Sequence, residues 1–312
     1  MLKASVNVSK SDKGILLTRG LDVVEINGVD NYRDLENYLD STGSDLKGSL
    51  EQLGFINSAT AAEIKEAEEI GIDAMAFYEK HKAYAMQVLQ PVFDHGIWDK
   101  LIDSNASRSL IIGFALEKYH YIEAAHEHMA YAAAYASPTM MPHLARHFIE
   151  EYTHGDIYKY GLSKFFSAEQ IENSVPLPST RSLVNALNEF SMADSFCYYA
   201  ANEVLQLTEN VDDNDEAEVG EFYEIMLKNH PWTEPLIKSF RAHTALDQSL
   251  GHEDSFKKMC ASMGTISLNQ ANTAINFTSR IAEHLAIFLD GIDFFYSREG
   301  SPLRTHVIAK TV

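Results

Sequence analysis

Apolar residues recur at steps of three and four along most of the chain from Ser58 onward, the pattern of helices that bury one face. The first such run, "SATAAEIKEAEEIGIDAMAFYEKHKAYAMQVLQPVF", opens on a capping-type Ser or Thr. It has an interruption near Gly71 and an expected break at Pro91. Further helices are predicted over roughly 105–135, 140–160, 180–209, 219–229, 233–261 and 266–297. They are separated by "ASPTMMP", "SVPLPST" and the acidic "NVDDNDEAEVGE", which reads as a surface loop. The beginning of the chain differs. "GILLTRGLDVVE", residues 14–25, has short β-branched runs broken by Arg19 and Gly20, and "INGVD" follows with turn chemistry, so a hairpin or two short strands are expected. Two short helices come next, with Asp30 and Ser44 as N-caps. The expectation is an all-α fold: a helical domain over residues 58–312, preceded by a small α+β module over residues 1–57.

Composition agrees with that class and narrows the function. The 312 residues are 46% hydrophobic with only 16 Gly and 8 Pro, enough chain to bury a core without staples. A formal charge of -20 repels nucleic-acid phosphates and anionic headgroups, so neither nucleic acid nor a membrane surface is an expected partner. Cys197 and Cys260 stand far apart in apolar contexts, which disfavours both a disulfide framework and a thiolate metal site. No signal-type start and no apolar run of membrane-spanning length is seen, and a soluble, cytoplasmic protein is expected.

Several helices carry carboxylates and imidazoles among apolar neighbours, which is how metal sites in helical bundles are assembled. Glu151 and His154 are three apart and share a helix face, with His147 and Glu150 as competitors for the inward position. His243 and Asp247 are four apart. His252 lies about 140° from Asp247 on an ideal helix, so either a π-bulge brings it round or Gly251 ends the helix and His252 faces water. On 105–135 the polar residues are Glu117, His120, Glu123, His126, Glu127 and His128. Glu123, beside Tyr119 and Ile122, is the expected inward carboxylate, and the solvated face accounts for some of the rest. Glu203 follows "FCYYAAN", where a carboxylate is costly unless paired or bound to metal. Glu283 and His284 have no second group spaced to join them.

Taken in order, Tyr-His-Tyr-Ile-Glu (119–123), Glu-x-x-His (151–154) followed by "KYGL", "PLPST", Glu203, and His-x-x-x-Asp (243–247) with the later His252 resemble the heme-oxygenase-like di-iron oxidases. These are relatives of thiaminase II and of the oxidase of pyrroloquinoline quinone synthesis. The resemblance covers about residues 75–297. It implies a heme-oxygenase-like helical bundle in which Glu123, Glu151, His154, Glu203, His243, Asp247 and His252 ligate two Fe(II) per chain, with O2 as co-substrate. It also implies oxidation of a small amine, amino acid or peptide-borne residue in a biosynthetic pathway, by N-oxygenation, C–C cleavage or desaturation. One spacing departs from the family: the last Asp and His are five apart instead of three or four. Members commonly pair, which implies a homodimer. Residues 1–57 resemble a pared-down winged-helix module that recognises leader peptides, so a leader peptide or partner protein is an expected partner there; a small capping subdomain is the alternative. Two other functions remain open at this level. One is a metal-free, thiaminase-like or cofactor-free enzyme, for which Cys197 is the obvious thiol; the other is a non-catalytic scaffold that binds a peptide or partner.

Overall fold

The computed structural model describes residues 6–10, 13–19, 22–28, 49–50, 55–56, 71–207, 216–251, 254–298, 300 and 303–304. The chain divides into two compact units, residues 1–72 with 265–276, and residues 73–264 with 277–312. The boundary expected at 57/58, the N-caps Asp30 and Ser44 and the helix start at Ser58 fall outside the described residues.

In the first unit the expected hairpin is present. Strands β2 (Gly14–Arg19) and β3 (Asp22–Asn27) pair antiparallel from Gly14↔Asn27 to Arg19↔Asp22, and β1 (Asn7–Lys10) adds a third strand on the other side of β2. Alternation sends Ile15 and Leu17 to one face, where they meet Ile26, Leu50, Phe55 and Ile56 in a small buried core. The described residues show this three-stranded sheet, and a winged helix is not among them. Two-residue strands β4 (Ile72–Asp73) and β5 (Thr265–Ile266) also pair.

The second unit is helical, and several of the predicted helices are divided by short breaks. Asp73 caps α1 (Ala74–Phe93), accepting from the Ala76 N–H at 2.7 Å. Pro91 does not break α1; it sits in the last turn, where a single i→i−4 bond is lost, and the helix runs two residues further. After α2 (Ile97–Ile102), the predicted helix 105–135 divides at Ala124 into α3 (Arg108–Glu123) and α4 (Ala125–Ala134). The predicted 140–160 divides at Tyr152–Thr153 into α5 (Met141–Glu151) and α6 (His154–Leu162). Following the short α7 (Ala168–Glu172), 180–209 divides at the extended Asp194 into α8 (Pro178–Ala193) and α9 (Ser195–Leu207). Next come α10 (Glu216–Asn229), α11 (Glu234–Leu250), α12 (Ser255–Met263) and the long α13 (Leu268–Tyr296). A helical hydrophobic period survives a one- or two-residue break, so the pattern alone does not register these corners.

The core of the second unit is built on aromatic contacts. Phe190 of α8 stacks on Phe277 of α13 with centroids 3.9 Å apart, and Phe196 of α9 packs on Phe77 of α1 and Phe256 of α12. Helix α6 lies against both α3 and α11. Gly161 permits the second approach: a Cβ there would stand 2.9 Å from the Pro235 carbonyl and 2.5 Å from Ser239 Oγ.

Candidate metal centre

On α5 the core-facing positions are Leu144, His147 and Glu151, and on α6 they continue as His154, Tyr158 and Leu162, a run in steps of three and four across the break. On α11 the same stripe reads Leu236, Phe240, His243, Asp247. Polar side chains therefore occupy positions that periodicity assigns to the core, and α6 against α11 brings them together.

Glu151 is 5% exposed, His154 1%, His243 2% and Asp247 1%. Nδ1 of His154 lies 2.9 Å from Glu151 Oε2 and 3.4 Å from Asp247 Oδ1, and Asp247 Oδ2 lies 3.1 Å from His243 Nδ1. One donor atom each from Glu151, His154 and His243 falls within 4.8 Å of the others. The His154 and His243 rings meet edge-on at 5.1 Å, and Tyr158 stands against His243 at 5.2 Å, so packing limits ring rotation.

This arrangement fits a metal ion. Two ligands about 2.1 Å from a common ion and at right angles lie about 3 Å apart, which is the separation these donors already have. Nitrogen and carboxylate oxygen without sulfur suits iron, manganese or zinc and excludes a thiolate cluster site. Two carboxylates so deeply buried are costly unless a cation or a hydrogen-bonded partner compensates them.

The remaining predicted ligands stand as follows. Glu203, 3% exposed on α9, lies outside the convergent group; burial pushes its carboxyl up to about 8 against the opposing pull of Lys82, and Oε1 has no hydrogen-bond partner among the described residues. Glu123 is not the inward carboxylate. It is the last residue of α3, its side chain is 40% exposed, and its carboxylate lies over Gly155 with Lys159 Nζ at 3.3 Å. His252 lies outside the described residues. The π-bulge proposed to bring it round is absent, because α11 stays α-helical to Leu250 and ends at Gly251, whose φ of 67° is the left-handed C-cap that glycine tolerates.

The buried carboxylate of α3 is Glu117, whose exposure is 0%. Its Oε2 accepts from the Leu177 N–H at 2.9 Å and from Thr180 Oγ1, and its Oε1 accepts from the Tyr296 hydroxyl at 2.9 Å. Burial raises its pKa and these donors oppose the rise. Sequence reasoning treated Glu117 as one of a solvated set. Its i−3 neighbour Phe114 shares its face, is apolar and buried, and was the available signal. His147 was visible as a competitor; His128, 1% exposed on α4, had no sequence signal separating it from His126. Both thiols are buried; desolvation pushes Cys197 far up and Cys260 up to about 12, which unsuits them as nucleophiles.

Among the described residues no helix is long and apolar enough to cross a membrane. No protein-family profile matches the chain, and no curated protein sequence matches it. Solved structures do. A domain of unknown function with a heme oxygenase-like fold from Shewanella denitrificans aligns with TM-score 0.56 and 18% identity over 71% of this chain and 92% of that one. A TenA homologue from Pseudomonas syringae pv. tomato aligns with TM-score 0.54 and 13% identity over 76% and 98%, and one from Pyrococcus furiosus with 0.52 and 13% over 69% and 99%. At these identities the likeness is one of architecture: the chain has a heme-oxygenase-like helical fold.

Proposed function

We propose that the protein is a non-heme di-iron, O2-dependent oxidase or oxygenase acting on a small amine, amino acid or peptide-borne residue. The observation that carries this reading is the buried meeting of Glu151, His154, His243 and Asp247 at ion-pair separations, on helices whose other inward positions are mostly apolar. The substrate class comes from the ordered resemblance of the motifs.

Bound there, iron supplies dioxygen-dependent redox chemistry that no side chain of the site can perform alone. Glu151 and Asp247 provide negative charge, and His154 and His243 provide nitrogen donors whose rings are held by Tyr158 and by each other. Phe240 and Tyr158 exclude water from the α6–α11 side. Glu203, whose carboxyl burial pushes up to about 8 in the metal-free chain, holds a proton near neutral pH on α9. On this reading the first unit presents a peptide or partner protein, and two chains associate as a homodimer.

The test is an anaerobic titration of the metal-free chain with ferrous iron, counting ions per chain, followed by oxygen and by turnover on free and peptide-borne amines. Two irons per chain with oxygen-dependent product are expected. Full activity after complete removal of iron would overturn the reading.

A further inference from the structure

Resting on the di-iron reading, we propose that the second metal position lies on the His147 side of Glu151, with Nε2 of His147 and Nε2 of His128 as its nitrogen donors. Glu151 is then the carboxylate shared with the first position.

Glu151 already divides its oxygens between two imidazoles. Oε2 faces His154 at 2.9 Å, and Oε1 faces His147 Nε2 at 3.3 Å. His147 and His154 are seven residues apart on one continuous stripe with Glu151 between them, and all three are at most 5% exposed. A carboxylate with a buried imidazole at each oxygen has the shape of a bridge between two ions. The ring of His147 is fixed by Tyr199, whose ring meets it at 5.5 Å and 69°.

His128 supplies, from α4, the donor that Glu123 at the end of α3 does not. Its Nδ1 lies 2.7 Å from the Tyr198 hydroxyl, and Tyr198 is itself fully buried. With Nδ1–H donating to that oxygen, the Nε2 lone pair is left for a ligand, the usual orienting contact of a metal-bound imidazole. Nε2 has no hydrogen-bond partner among the described residues, and α4, which carries His128, packs against α5, which carries His147 and Glu151. The donors that converge within 4.8 Å are those of the first position, and His128 stands outside them.

The experiment counts iron in the full chain, loaded anaerobically with 57Fe(II) and resolved into sites by Mössbauer spectroscopy. It compares the wild type with His147→Ala, His128→Ala, Glu203→Ala and Tyr198→Phe. Two irons in the wild type and one in each histidine variant are expected. Tyr198→Phe, which removes only the orienting hydroxyl and serves where a histidine variant misfolds, is expected to weaken the second iron about 10-fold or more and leave the first unchanged. Two irons retained in His147→Ala and His128→Ala, with one lost in Glu203→Ala, overturn this assignment and leave the di-iron reading standing. A second iron unaffected by Tyr198→Phe removes His128 from the donor set. A wild type that holds one iron overturns the second position, and one that holds none overturns the proposed function itself.

Discussion

Replacing Glu117 separates a structural carboxylate from a metal-binding one. In the folded chain this side chain ties α3 to the start of α8 and to the end of α13 through Leu177, Thr180 and Tyr296. In Glu117→Ala the Thr180 hydroxyl can turn to a carbonyl of its own helix, but the Leu177 N–H and the Tyr296 hydroxyl, both buried, are left without an acceptor. Each such donor costs about 1–3 kcal/mol, and the lost side-chain burial adds about 1 kcal/mol. Removal of the desolvated carboxyl offsets part of this, so a net loss of about 3–5 kcal/mol is expected, the range for breaking a buried polar network. Glu117→Gln keeps the volume but turns an amide NH2 toward one of the donors, and about 1–3 kcal/mol is expected. Urea unfolding followed by far-ultraviolet circular dichroism measures both, with Tyr296→Phe completing a double-mutant cycle. Iron stoichiometry of the folded variants should equal that of the wild type. A loss below about 1 kcal/mol in Glu117→Ala, or a folded variant that sheds iron, would refute the structural role.

His81 is buried neutral against Thr278, and burial lowers its pKa from 6.5 to about 4. The unfolded chain binds the extra proton first, so stability present above pH 6.5 is lost as pH falls toward about 4. At about 1.4 kcal/mol per pH unit this amounts to about 3 kcal/mol, and His81→Phe should flatten the fall in Tm between pH 7 and pH 5. Gly161→Val should overpack the α6–α11 contact by about 1–3 kcal/mol and weaken the first iron by moving His154 from His243. Gly220→Ala, where a Cβ meets open space, should stabilise by about 0.5–1 kcal/mol. Asp247→Asn keeps the size of the side chain but removes a charge facing both His154 and His243. It should abolish tight binding of the first iron, read by titration, while the circular dichroism spectrum stays that of the wild type.

Much of the site was legible before any coordinates, because it obeys helical period. Glu151 with His154, and His243 with Asp247, are spaced three and four, and such pairs share a face in a helix. The period even survives the corner at Tyr152–Thr153, since one αR residue and a short turn keep the next helix in phase. The hairpin around Ile15 and Ile26 and the burial of Glu203 were likewise set by local pattern.

The sequence by itself could not rank residues on a helix that is apolar on several sides, so Glu117 and Glu123 exchanged roles. Leu177, Thr180 and Tyr296 come from 60, 63 and 179 residues away, and only their arrival makes Glu117 an interior group. Glu123 ends its helix at a corner and reaches solvent and Lys159 instead. His128 acquires its meaning the same way, from a tyrosine 70 residues distant. Spacing therefore determined which residues share a face, a property of 3.6 residues per turn. Which face turns inward, and which partner meets it there, was decided by packing between helices remote in sequence, where burial converts a charge from a solvated group into one that must be compensated.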